Sequence, residues 1–257
     1  MKKLFLFAFL FLISASSLFS QKEEWTPANG ALLGGKNIFK VNLTSMALGN
    51  YGFYGERIIN NRFSFILGVN FMPNRGIPFI NSLKIVEQDV EGTISNIKVN
   101  SLALMPELRI YAGKGYGKGL YFSPYFKYEQ FGLSNLSAEF TDNDGIDRQV
   151  DMDGKIKTYS GGLLIGYQWL IGKNKNFVID WSILGAHAGA SNGNIHGNYA
   201  GVMTEKEQQD VRNSIDETLG DIPLIEYTRT VDSKNADVEV KGPWAFFRMG
   251  LSIGYRF

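Results

Sequence analysis

The chain has 257 residues, 26 Lys+Arg against 25 Asp+Glu, 44% hydrophobic residues and no cysteine. The charge balance gives no basic excess for nucleic acid, and the absent thiol excludes disulfide frameworks, thiolate metal sites and a lipid-modified N-terminal cysteine. Glycine (29) and aromatics (14%) are plentiful and proline (7) is scarce, a composition suited to sheet joined by tight turns.

Lys2 and Lys3, an apolar run from Leu4 to Ala15 and small polar residues up to Ser20 predict a signal peptide over 1–20, cleaved between Ser20 and Gln21. Two lysines leave with it, so the mature chain carries 24 Lys+Arg against 25 Asp+Glu. Residues 21–36 form a polar, glycine-marked periplasmic lead-in. After Gln21 no apolar run approaches the ~18 residues of a membrane helix. Any membrane crossing would therefore need closed sheet, which satisfies every backbone polar group.

Period-two alternation begins at Asn37. Phe39, Val41 and Leu43 share one face, and the strand is read as running to Ala47 before a tight turn at Gly49-Asn50. A short second strand, Gly52 to Ile58, turns at Asn60-Asn61 into a clear third one with Phe63, Phe65, Leu67, Val69 and Phe71 on one face. The fourth carries Leu102, Leu104, Leu108 and Ile110, and the fifth Leu120, Phe122, Phe126 and Tyr128. The sixth carries Tyr159, Leu163, Ile165, Tyr167, Trp169 and Ile171, and the seventh Phe177, Ile179, Trp181 and Ile183. The eighth, Trp244 to Phe257, sets Phe247, Met249, Leu251, Ile253, Tyr255 and Phe257 against Arg248, Gly250, Ser252, Gly254 and Arg256. Pro106 and Pro124 fall inside strands four and five, where each should cost a ladder bond or mark a bulge.

Connections after strands two, four and six are short, and those after three, five and seven are long: 73–98, 137–155 and 191–243. The last contains a predicted helix, Thr204 to Leu219, with Thr204 and Glu207 as a capping box, then a hairpin about Ser233-Lys234-Asn235. The expected fold is all-β: an eight-stranded antiparallel transmembrane β-barrel over 37–257, with long extracellular loops, 191–243 the longest, and a short helix in that last loop.

Periodicity leaves the facing open, because a lipocalin-like soluble barrel puts its apolar face inside. Three features favour lipid outside. The opposite face carries balanced charge: Lys40, Arg109, Lys127 and Arg248 against Glu56, Glu107, Glu129 and Asp180, a candidate lumen network. Tyr159, Trp169, Trp181, Trp244 and Tyr255 gather near strand ends, where interfacial rings sit. The chain also ends on an aromatic in register with the apolar face.

Leu251-Ser252-Ile253-Gly254-Tyr255-Arg256-Phe257 resembles the C-terminal signal read by the barrel assembly machinery. The resemblance implies Leu251, Ile253, Tyr255 and Phe257 as the residues read. The stretch 38–78 is similar to an uncharacterised outer-membrane barrel family, a domain of unknown function, through Lys40-Val41-Asn42, Tyr54…Glu56-Arg57 and Met72-Pro73…Gly76-Ile77-Pro78. More loosely, the architecture resembles the small barrels of the OmpA and OmpX type. The resemblance implies a fold and an outer-membrane location, and no activity.

Candidate chemistry is sparse. His187 and His196 are the only histidines, and neither has a serine two residues away as outer-membrane deacylases do; Ser191 is the nearest. The run Asp142-Asn143-Asp144-Gly145…Asp151-Met152-Asp153-Gly154 misses calcium-loop spacing and reads as a solvated loop. No enzyme, cofactor or metal is expected. The expected function is an integral outer-membrane protein acting through surface-loop binding or envelope structure. A small porin-like pore or uptake channel is the first alternative, and a lipid A-modifying enzyme the second. Expected partners are outer-membrane lipids, lipopolysaccharide and the barrel assembly machinery, with the surface-loop partner unnamed.

Overall fold

The computed structural model describes residues 34–76, 97–112, 115–141, 145–220 and 224–257. The predicted signal peptide, most of the predicted lead-in, and the segment around Glu91-Gly92 lie outside the described residues.

The strands are β1 (Asn37–Asn42), β2 (Tyr51–Ile58), β3 (Phe63–Gly76), β4 (Lys98–Tyr111), β5 (Gly119–Thr141), β6 (Asp147–Ile171), β7 (Phe177–Asn198), β8 (Glu226–Val231) and β9 (Asn235–Arg256). Two helices join them, α1 (Leu43–Ala47) and α2 (Glu205–Leu219). All nine strands belong to one antiparallel sheet in the order β1 to β7, then β9, then β8, and β1 returns to pair with β9.

That return is short, and it corrects the expected eight-stranded transmembrane barrel. β1 meets β9 only from Ile38↔Arg256 to Asn42↔Ser252, with Asn37 and Phe257 exchanging two backbone bonds below. The sheet is ringed at its base and split above. Residues 43–47, read as strand, are helix: Asn42 is still extended, but its side chain accepts from Ser45 N at 2.9 Å, an N-cap that ends the strand. β1 has six residues, fewer than the ~9–11 that cross a bilayer. The described residues form nine strands, not eight, and much of the expected loops 137–155 and 191–243 is sheet. β5 runs to Thr141 and β6 starts at Asp147, so 137–141 and 147–155 are paired strand. Within 191–243, β7 continues to Asn198 and β8 and β9 form the hairpin about Ser233.

The extended upper sheet carries its own core. Phe140, Val150, Met152, Val231, Ala236 and Val238 are buried with Met203, Val211 and Ile215 around α2. α2 has its capping box, with Thr204 N donating to Glu207 Oε2 at 2.6 Å. Its far end is tied to β8 where Arg229 and Tyr227 donate to Asp216, the former through both carboxylate oxygens. The Arg229 hydrogen bond holds that carboxyl below its ordinary range.

Both prolines sit in strands without shifting register. Pairing of β4 with β5 keeps one register through Leu104↔Tyr128, Glu107↔Tyr125 and Ile110↔Phe122, with the rungs at each proline missing. Pro124 has no N–H to offer Leu108 across the ladder, and Ser123 Oγ donates to Leu108 O instead, at 3.0 Å. Ser123→Ala is expected to lower stability by about 1 kcal/mol, read as a lower urea midpoint in detergent. An unchanged midpoint would show that the hydroxyl contributes nothing.

Candidate functional site

Inside the base of the ring, side chains fill the space in layers. Ile38, Ile58 and Val178 close the bottom. Above them lies a continuous chain of buried ion pairs. Lys40 Nζ, on β1, is 2.8 Å from Glu56 on β2 and 2.6 Å from Asp180 on β7. Arg109, on β4, is 2.8 Å from Asp180 and 2.7 Å from Glu107. Arg248, on β9, reaches Glu107 at 2.8 Å. Three cations alternate with three anions, so no charge is left uncompensated.

Neutral groups complete the layer, and the sequence reading missed them. Gln168 accepts from Lys40 and Arg109 at 3.0 Å each and donates to Gly117 O at 2.8 Å. Tyr111 and Ser64 donate to Glu56, and Tyr121 to Asp180. The Arg109 guanidinium lies 3.8 Å from the Tyr121 ring centre. Gly166 makes room for Tyr121 and Gly68 for Tyr54, since a Cβ at either place would enter the ring. A signal for the tyrosines was present: Tyr111, Tyr121 and Tyr125 share parity with Arg109 and Ser123. Lys127 and Glu129 stand apart, as a separate pair 2.5 Å apart higher on β5.

Higher still, His187 Nδ1 is 2.9 Å from Tyr125 OH. The hydroxyl of Ser191 donates to Gly242 O at 3.1 Å rather than to a histidine. His196 faces outward against Asp237 at 2.5 Å. No nucleophile–base pair is assembled by these residues. Among the described residues no cluster of His, Asp or Glu has metal-binding geometry. Trp244, expected at the membrane interface, is on the inner face with its ring 5.4 Å from Phe131.

The outer face is zoned. Rows of register partners from Ile171, Phe177 and Tyr255 up to Leu163, Ala186 and Phe247 are apolar or aromatic. Leu251, Ile253 and Tyr255 of the C-terminal signal lie in these rows, exposed. The apolar zone ends at Tyr128 and Tyr159, rings 5.1 Å apart. The next row is Gln130, Lys157, Asn192 and Lys241, and the one after it Gly132, Lys155, Asn194 and Glu239. Asn100, Lys155, Lys157, Asn192, Asn194 and Tyr159 line a groove of about 830 Å³ there.

These findings correct the functional expectations. A barrel acting through surface loops loses both parts, because the sheet is ringed only at its base and much of 137–155 and 191–243 is strand among the described residues. A porin-like pore fails because the base interior is packed with paired side chains. No helix among the described residues is long and apolar enough to cross a membrane.

The fold is an antiparallel sheet ringed at its base and split above, apolar outside and ion-paired within. The chain belongs to the family described as "Protein of unknown function (DUF3575)", which matches residues 9–211. It is also similar to a solved structure described as "Crystal structure of Acinetobacter baumannii CarO2", at 14% identity over 81% of this chain and 97% of that one, with a TM-score of 0.33. No curated protein matches.

Proposed function

We propose that this is a non-enzymatic protein of the outer membrane whose apolar outer rows contact lipid and whose lysine rows bind the phosphates of lipopolysaccharide. The observation that carries this reading is the boundary on the outer face. Within one strand step, Tyr128 and Tyr159 give way to Lys157, Asn192 and Lys241. Amphipathic rings settle at the membrane–water boundary, and lysines just beyond it meet anionic headgroups, each worth about 1 kcal/mol.

The reading carries three further parts. Residues 1–20 serve as a cleaved export signal and 21–36 as a periplasmic lead-in. The barrel assembly machinery reads Leu251, Ile253, Tyr255 and Phe257. The ion-pair layer keeps the interior of the base shut.

The test is flotation with phosphatidylcholine vesicles, with and without diphosphoryl lipid A. The refolded chain should float with both, and recovery in the aqueous layer would overturn the lipid reading. Lys157→Gln with Lys241→Gln should weaken lipid A retention about thirtyfold while flotation persists. Unchanged retention would remove the lysine rows from the reading.

A further inference from the structure

The split above the ring's base leaves one strand edge open. β9 is paired by β8 at Ala236 to Lys241 and by β1 at Ser252 to Arg256. Between them, residues 243–250 pair with nothing on that side among the described residues. The facing wall is α1 and upper β3, tied together where Arg75 Nη1 donates to Leu48 O at 2.8 Å. An open edge presents unpaired N–H and C=O groups, which are costly in bare hydrocarbon. The gap is therefore expected to hold something that hydrogen-bonds.

The inner surface behind it has the matching character. Phe246 is 62% exposed although its register partner His187 is 6% exposed. Trp244 Nε1, His187 Nε2 and Ser101 Oγ are buried with no hydrogen-bond partner. Buried polar atoms are nearly always satisfied, so three together on one inner surface mark a missing partner. They are linked by aromatic contacts. Ser101 is paired with Phe131, Phe131 lies 5.4 Å from Trp244, and Trp244 lies 5.7 Å from Phe246. An indole can only donate. Ser101 can donate, and so can His187 Nε2 when Nδ1 accepts from Tyr125. On the outer side of the same stretch, Gly161, Ala186, Ala188 and Ala245 lie between Leu163 and Phe247 in an apolar groove of about 750 Å³.

Donors behind an open edge, with apolar grooving in front of it, suit a ligand with an acceptor head and a hydrocarbon tail. We propose that the gap between β9 and α1 binds a long-chain fatty acid. Its carboxylate is held by Trp244, His187 and Ser101. Its chain passes over Phe246, round the free edge, into the groove at Ala186 and Ala245. The cost of the open edge and the route of entry rest on the lipid reading above; the three unpartnered donors do not.

The probe is 9,10-dibromostearate, a contact quencher of tryptophan, added to the full chain refolded in detergent micelles. A saturable part of the quenching, above the background from Trp169 and Trp181 on the outer face, should be reversed by excess stearate and vanish in Trp244→Phe. His187→Phe should weaken retention of radiolabelled stearate about tenfold, the loss of one hydrogen bond to a charged acceptor. It supplies the reading if the Trp244 variant does not fold. Quenching that grows linearly without stearate competition would overturn the proposal, as would unchanged retention in His187→Phe. So would a dimer cross-linked through Phe246→Cys, which would give the open edge to a second copy. Flotation with vesicles but no saturable quenching overturns the fatty-acid site alone.

Discussion

Replacing Lys40 with methionine is expected to cost about 3–5 kcal/mol, the usual penalty for removing one member of a buried ion pair. The ammonium touches Glu56 at 2.8 Å and Asp180 at 2.6 Å, and both carboxylates are buried. Methionine matches the stem and removes the charge. Arg109 still reaches Asp180 at 2.8 Å but stands 3.9 Å from Glu56, so Glu56 is the carboxylate left most exposed to the loss. Tyr111 and Ser64 continue to donate to it, yet neither carries charge. Lys40 also sits on the six-residue strand that closes the ring, so the loss falls where the sheet has least pairing to spare. The check is urea unfolding in detergent, with unheated electrophoretic mobility as a second measure of the folded form. A midpoint within experimental error of wild type would mean that the pairs do not hold the ring.

A second large effect is expected from Val211→Asp in α2. Val211 is fully buried, and burying an unpaired carboxylate costs several kcal/mol. The molecule has a cheaper route, which is to release the helix. A 15-residue helix is marginal by itself, so α2 should melt once undocked despite its capping box. Proteolysis should then cut within 199–224 while the base of the ring stays resistant, because its packing is separate from the core around α2. Loss of protection throughout the chain would show instead that the upper sheet and the ring fold as one unit.

The two effects test different levels of what could be read from the residues. The charged face was legible on most strands, since Lys40, Glu107, Arg109, Asp180 and Arg248 each alternate with apolar neighbours, whereas Glu56 shares parity with Tyr54 and Ile58 and left the facing of β2 ambiguous. The pairing of these charges was not legible. Lys40 and Asp180 are 140 residues apart, and which cation meets which anion depends on the stagger of strands that no local pattern encodes. Gln168 was invisible for the same reason: a neutral amide gains its place only once Lys40, Arg109 and Gly117 surround it.

Parity failed where the backbone gained a residue. The β7 register shifts between Ser182 and Gly185 against β9. Asp180 and Ser182 point inward at even positions, and past the bulge His187 points inward at an odd one. Strict alternation would have turned His187 outward, away from Tyr125. α1 is a gentler failure, since Phe39, Val41 and Leu43 alternate cleanly and the helix begins only because Asn42 caps it.

The sequence by itself determined the period-two strands, the tight turns at the base, the capped helix over 204–219 and the sign of each inner charge, because these depend on neighbours a few residues apart. Tertiary structure alone decided how far the sheet closes, that much of 137–155 and 191–243 becomes strand, and that β9 is left with an open edge. Those outcomes turn on long-range register and on which strand finds a partner, and β1, ended by a single asparagine cap, is too short to cover β9 along its height.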